Sequence, residues 1–288
     1  MVNSPEPSIA VLASRVRTEE KRIMDALERR GVPFGYVDAR ELSVVLGGGP
    51  TAHRVFLNRE IGQFRAGYAA TALEARGAKV VNTAAATALC GDKWLTSVAL
   101  QRRGLPTPRT ALAMTPDAAL SALEEIGYPA VIKPLVGSWG RLVTPVDNPR
   151  VAAAVLEHIA ALPSPQSHII YVQEMIPKLD RDIRVIVVGD EVLGATYRRS
   201  SEWRTNVARG GVSEFCALSE EDAKLAVTAA DAVGADIAGV DLVVDSEGMT
   251  SVLEVNHRVE FAGFQEAQGD RVDVADRIVR HLLAKAAA

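Results

Sequence analysis

The chain has 288 residues, of which 48% are apolar and 24% charged, with a formal net charge of -4. These values suit a soluble chain with a sizeable core and exclude disordered, collagen-like and disulfide-scaffold classes. The acidic balance argues against general nucleic-acid binding, which draws on a basic face. The opening MVNSPEPSIAVLASR, with an apolar run of about six residues beside an acidic, proline-containing flank, fits neither a signal peptide nor a membrane span.

Residues 1–7 read as a frayed tail. Apolar runs at 8–14, 53–58 and 78–82 predict strands. Between the first two, TEEKRIMDALERRG predicts a helix with Thr18 as N-cap, a stripe of Ile23, Met24, Ala26 and Leu27, and Gly31 as its stop. This βα repeat predicts a small doubly wound α/β domain over 1–89. It lacks the Gly-x-Gly-x-x-Gly turn of a dinucleotide site, and GGGP at 47–50 is a loop.

GDKWLTSVALQRRG then predicts a helix capped by Asp92 and closed by Gly104. A helix from Thr115-Pro116 to Gly127 follows, then a strand at 129–135. A glycine-rich turn, VGSWGRL, leads into another strand and the helix NPRVAAAVLEHIAAL. Pro163 and Pro165 break the chain. From 168 strands dominate, interrupted by the helix SEEDAKLAVTAADAVG, and an amphipathic helix closes the chain at about 272–285. The expected organisation is α/β over 1–89, then two α+β units over 90–172 and 173–288. Cys90 and Cys216 lie far apart without metal-ligand spacing and are expected as reduced thiols of a cytoplasmic protein.

Three features carry chemistry. Lys133 sits inside the apolar strand AVIKPL, where a cation needs a partner unless the side chain alternates outward. Just beyond it, Gly137-Ser138-Trp139-Gly140-Arg141 is either a plain hairpin turn or a loop whose backbone N–H groups approach phosphate oxygens. The lysine precedes the glycines, which is not the P-loop order. Second, Asp241 in GVDLVVD and Glu254 and Asn256 in LEVN fall on neighbouring predicted strands. Period-2 alternation puts Glu254 and Asn256 on one face, and a hairpin at Ser246-Glu247-Gly248 sets Asp241 across from them. Such a set is either a solvated hairpin or three oxygen ligands suited to Mg²⁺ or Mn²⁺. Third, Arg181, Arg184, Arg198, Arg199, Arg204 and Arg209 punctuate the strand region, as structural ion pairs or as a clamp for anions. Asn206 lies among them in a loop-like segment. Only seven of the 32 basic residues are lysines, a bias that codon usage explains, yet Lys93, Lys133 and Lys178 fall in the segments where the chemistry gathers.

Taken in order, Lys93 in CGDKW, Lys133 before its loop, Gln173-Glu174 in YVQEMI, DIRVIVVG, TNVARGG, GVDLVVD and EVN resemble the ATP-grasp carboxylate-amine ligases. KPxxGSWGRL, RRSxxWxTNxARGG and EVNHxxEF are most similar to the LysX-type branch, which loads an amino-group carrier protein in lysine and arginine biosynthesis. The ribosomal-protein glutamate ligases are related to it. The resemblance covers nearly the whole chain and implies an ATP-grasp fold, two α+β subdomains clasping ATP. It implies that Lys93 and Lys133 contact phosphates beneath a loop of Gly137, Ser138 and Gly140. Gln173, Glu174, Met175 and Ile176 would form the adenine-reading hinge, with Lys178 just beyond.

The same resemblance makes Asp241, Glu254 and Asn256 the Mg²⁺ ligands, with Glu254 bridging two ions, Mn²⁺ being an alternative. Arg184, Arg199 and Asn206 would line the acyl-phosphate site. Arg199, Asn206, Arg258, Gly263 and Phe264 would face the amino acid, the last two where the family varies with substrate. The implied reaction joins glutamate or α-aminoadipate to the C-terminal glutamate side chain of a small acidic carrier protein. Alternatives are a ribosomal protein tail, a free small-molecule acid, or a non-catalytic ATP-binding regulator. A homodimer or homotetramer is implied, and an arginine rim of Arg198, Arg204, Arg209 and Arg258 is expected to steer the acidic partner.

Overall fold

A computed structural model describes residues 8–137, 140–178, 181–200 and 212–288. Ser138, Asn206, Arg204 and Arg209 therefore lie outside the described residues.

The first sheet is parallel, with β1 (Ile9–Leu12), β2 (Phe34–Val37), β3 (Val55–Asn58) and β4 (Lys79–Val81) in the order β2-β1-β3-β4. Helices cover both faces, which explains why the central strand β1 is apolar and buried at every position. Ile9 and Val11 pack with Ile23 and Leu27 of α1 (Thr18–Arg29), while Ala10 and Leu12 meet Ala69 and Leu73 of α2 (Gln63–Glu74). The first helix begins one residue differently from expectation: Arg17 is its N-cap, and Glu20 reaches back to accept from the Arg17 backbone N–H at 3.0 Å. The edge strand β2 was not legible, because FGYV is half-exposed and carries a glycine. The order reverses between β1 and β3, opening a crevice at their C-terminal ends.

After α3 (Ala84–Gly91), Asp92 caps α4 (Lys93–Arg102), its Oδ1 accepting from the N–H groups of Trp94 and Leu95 at 2.9 and 3.0 Å. The second sheet is antiparallel, in the order β5-β8-β6-β7, from β5 (Thr110–Ala113), β6 (Ala130–Lys133), β7 (Thr144–Val146) and β8 (Ile170–Glu174). Leu123 of α5 (Pro116–Ile126) and Leu156 of α6 (Pro149–Ala160) bury one face against Ala130, Ile132, Ile170 and Val172. Alternation then turns Lys133, Tyr171, Gln173 and Thr110 to the other face. Strand β8 continues past residue 172 to Glu174, so the chain leaves this sheet beyond the expected boundary.

The third sheet is antiparallel: β9 (Arg181–Val188), β10 (Glu191–Arg199), β11 (Val212–Cys216), β12 (Ile237–Val244) and β13 (Thr250–Asn256), ordered β11-β10-β9-β12-β13. Val185, Val187 and Val240 pack under α7 (Glu220–Ala232), and Ala86 of α3 and Leu100 of α4 join that cluster. On the opposite face, Ile186, Val188 and Ile237 merge into the core of the first sheet through Phe261, Phe264 of α8 (Ala262–Gln268) and α9 (Val274–Ala287). The rest of that face carries Arg184, Thr196, Arg198, Asp241 and Glu254, and the Lys133 ammonium of the second sheet feels the charges of the two carboxylates. No helix among the described residues is long and apolar enough to cross a membrane.

Candidate active site

Lys133 ends β6 directly across from Tyr171 on β8, and Gln173 lies two residues further along the same face. The Lys133 ammonium donates to Gln173 Oε1 at 2.5 Å and lies over the Tyr171 ring, 5.9 Å from its centre. Gln173 is held by its own amide, which donates to Thr110 Oγ1 at 3.0 Å and to the Tyr171 hydroxyl at 2.8 Å. Tyr171 in turn shares a hydrogen bond of 2.9 Å with Ser97 of α4. Gln173 and Tyr171 are each 1% exposed. A satisfied buried network of this kind fixes a side chain in one place. The sequence reading missed Tyr171, Thr110 and Ser97, although the i, i+2 spacing of Tyr171 and Gln173 was a usable signal.

Burial pulls the Lys133 ammonium down from 10.5 to about 8; Glu254 and Asp241 oppose the shift, while Lys93 and Lys178 add to it. Lysines and carboxylates far apart in sequence thus converge on one centre. Lys93 opens α4, its Nζ donating to the Gly137 carbonyl at 2.9 Å. Lys178 forms a backbone bridge with Asp245 and places its ammonium 3.5 Å from Asp182. Gly140 has φ +62, a left-handed conformation that glycine adopts without strain. At the end of β8, Glu174 accepts from the Arg109 N–H at 2.7 Å, and Met175 donates its N–H to the Pro129 carbonyl at 3.1 Å. Ile176 follows, its carbonyl accepting from Lys178 N–H at 2.8 Å.

Opposite Lys133, Asp241 on β12 pairs in register with Glu254 on β13 and with Arg184 on β9. A bulge follows Asp241, and Asn256 shares the Glu254 face. Asp241 is 3% exposed and clasped by two guanidinium groups, Arg184 and Arg198. Gly239 permits this approach, since a Cβ there would lie 3.0 Å from the Arg184 guanidinium. Arg198 also binds Asp182 at 2.6 Å, and its two carboxylate partners hold its pKa above the ordinary value despite burial. Glu254 is different: among the described residues no side chain hydrogen-bonds its carboxylate. Asn256 donates its amide to the Gly239 carbonyl at 3.3 Å, which leaves its oxygen as an acceptor. No three His, Cys, Asp or Glu side chains cluster as a metal site among the described residues, so any ion here relies on a mixed carboxylate and amide set. That donor chemistry fits Mg²⁺.

Several expectations meet a different geometry. Arg199 alternates to the far face of β10 and pairs with Glu214 at 2.8 Å, while its neighbour Arg198 points into the site. Arg198 is 6% exposed and so belongs to no rim. Phe264 is 4% exposed and packed in the core, and Gly263 backs onto Ser213 of β11. Arg258 is half-buried, donating to the Glu60 carbonyl at 3.3 Å at the crevice of the first sheet. Cys90 and Cys216 are free, and burial pushes the Cys90 thiol up to about 12, so it carries no thiolate chemistry.

Residues 90–282 match the RimK-like ATP-grasp domain, and residues 9–89 match the LysX preATP-grasp domain. A glutamate–LysW ligase, ArgX, of Sulfolobus acidocaldarius is 33% identical over 276 residues, 95% of this chain and 97% of that protein. An alpha-aminoadipate–LysW ligase, LysX, of Saccharolobus solfataricus is 35% identical over 208 residues, 72% of this chain and 76% of the relative. Among solved structures, the RimK domain ATP-grasp protein of Sphaerobacter thermophilus superposes with a TM-score of 0.79 at 26% identity, covering 96% of this chain and 99% of that one.

Proposed function

Since the chain belongs to the RimK-like ATP-grasp family and is an ATP-dependent carboxylate-amine ligase with a LysX-type N-terminal domain, we propose that it joins an amino acid to a LysW-like carrier protein. The carrier would be small and acidic, offering the side-chain carboxylate of a C-terminal glutamate; the amino acid would be glutamate or α-aminoadipate. The observation that carries this reading is the extent of the similarity, which runs through the first sheet as well as the two that enclose Lys133 and Glu254.

In this reading the carboxylate attacks the γ-phosphorus of ATP, the bond to the β-γ bridging oxygen breaks, and ADP leaves. The amine then attacks the acyl carbon of the acyl phosphate, loses a proton, and expels phosphate as the amide forms. Lys133 and Lys93 hold phosphate oxygens, the first kept in place by Gln173, the second by the capped start of α4. Glu174 to Ile176 border the adenine, and Gly137 and Gly140 flank a loop that shields the acyl phosphate from water. Arg184 and Arg198 present fixed positive charge beside Asp241 where the transferred group would pass. Asp241, Glu254 and Asn256 would hold Mg²⁺, two ions in the fullest arrangement, which supplies charge neutralisation on the phosphates. Subunit association as a dimer or tetramer belongs to the same reading.

The test is ADP release with purified protein, ATP, a LysW-like carrier, and glutamate or α-aminoadipate. Turnover should require all three substrates and add one amino acid to the carrier by mass. Lys133→Ala and Glu254→Ala should each lower turnover at least a thousandfold with an unchanged circular-dichroism spectrum. Near-normal ligation by either variant would remove these residues from the site, and turnover without carrier would favour a free acid as acceptor.

A further inference from the structure

The turn after β13 is held from the first sheet at each residue from His257 to Val259. The His257 carbonyl accepts from Asn82 at 2.6 Å, Arg258 donates to the Glu60 carbonyl at 3.3 Å, and the Val259 carbonyl accepts from Arg59 at 3.0 Å. The His257 ring makes a further contact, its Nε2 donating to Gln63 Oε1 at 3.0 Å. Gln63 is the first residue of α2, and its amide has a second partner: Nε2 donates to the Thr87 carbonyl of α3 at 2.8 Å.

Gly91 leaves room for this side chain. It ends α3 directly before Asp92 and Lys93, and a Cβ added to it would stand 1.7 Å from Gln63 Nε2. Only glycine keeps that space open. One side chain therefore bridges two segments that carry chemistry. On one side is the junction that delivers Lys93 to α4; on the other is the residue next to Asn256, three positions from Glu254. Groups that hold a ligating residue in place set the affinity of its site without contacting the ion.

We propose that Gln63 is a positioning residue: acting through His257 and the Gly91 junction, it fixes the Asn256 strand against the Lys93 turn and so sets metal affinity in the nucleotide complex. This rests on the ligase reading above, in which Lys93 meets phosphate and Asn256 would hold Mg²⁺.

The experiment titrates Mn²⁺, followed by electron paramagnetic resonance, into wild type, Gln63→Ala, Gly91→Ala and the double variant, each saturated with a non-hydrolysable ATP analogue. Steady-state ligation and thermal melts accompany it. Gly91 lies within a helix, so Gly91→Ala displaces only the flexible end of Gln63 and should keep the fold. Each single variant should weaken Mn²⁺ binding and lower kcat by about tenfold, with KM for the amino acid within about twofold of wild type. The double variant should be no worse than the worse single one, because removing the Gln63 amide makes room for the new methyl group. Unchanged Mn²⁺ affinity in both folded single variants would overturn the inference and leave the ligase reading intact, even beside lowered melting temperatures, since Gln63 would then be a structural tie alone. Additive losses in the double variant would also overturn it. A wild type that binds no Mn²⁺ with the analogue would overturn both.

Discussion

Lys133 and His257 show how burial sets the charge of single residues here. Lys133 is kept within reach of Glu254 but bonded to a neutral amide, so its charge is not cancelled by a protein carboxylate and stays available to an anionic ligand. His257 is the reverse case. Its Nε2 donates to Gln63 Oε1 at 3.0 Å, and burial first, then Arg258 and Arg59, push its pKa down from 6.5 to about 4. The depressed value means that the unfolded chain takes up the proton near pH 6.5, before the folded one does. The stability linked to this histidine is therefore complete above pH 6.5 and is lost as pH falls toward 4. At about 1.4 kcal/mol per unit, the loss is on the order of 3 kcal/mol. Thermal melts between pH 7 and 4 should show this decline, and His257→Gln should flatten it.

At the scale of elements, two local devices aim side chains. One is the cap of α4: Asp92 fixes the first turn, and Lys93 is the residue that turn begins with. Asp92→Ala should cost about 1 kcal/mol of stability. Because the frayed turn also releases Lys93 from the Gly137 carbonyl, KM for ATP should rise severalfold, and Asp92→Ser should restore both. An unchanged KM beside a lowered melting temperature would show that the cap stabilises without positioning. The other device is strand alternation in β10, which sends Arg198 into the site and Arg199 to Glu214. An adjacent Arg-Arg pair cannot be resolved from sequence, since a shift of one residue in register exchanges their faces.

For the whole molecule, the decisive contacts join the first sheet to the third. Asn82, 3% exposed at the end of β4, donates to the carbonyls of Ile237 and His257 at 2.7 and 2.6 Å and accepts from the Ile237 N–H at 2.9 Å. These bonds hold the strand that bears Asp241 and the turn that bears Arg258 against the crevice. Helix α9 adds to the union, linking to α1 through Arg30–Asp276 at 2.6 Å and Arg29–Asp273 at 3.0 Å. Asn82→Ala leaves three buried backbone groups unpaired, and a loss of roughly 3 kcal/mol is expected. Asn82→Asp keeps the acceptor but sets a buried carboxylate oxygen against the two carbonyls, and should lose at least as much. Equal melting temperatures for wild type and Asn82→Ala would mean that the two sheets are held by their apolar core alone.

The sequence by itself determined the periodic elements and the residue types of the chemistry. The parallel first unit was legible because strands buried on both faces are apolar throughout, and Asp92, Gly127 and Ser219 marked helix ends because caps act within a turn. The hairpin joining the Asp241 and Glu254 strands was legible too, whereas the bulge that brings those two residues opposite each other, where the plain hairpin register pairs Asp241 with Leu253, was not. Nor was strand β2, short, half-exposed and interrupted by Gly35. The tertiary structure alone decided that Lys133 meets Gln173 and Tyr171, that Arg198 rather than Arg199 enters the site, that Phe264 is core, and that Arg258 donates to the Glu60 carbonyl. Each of these depends on which faces of separately folded sheets come together, and that choice is made by cores assembled from segments more than a hundred residues apart.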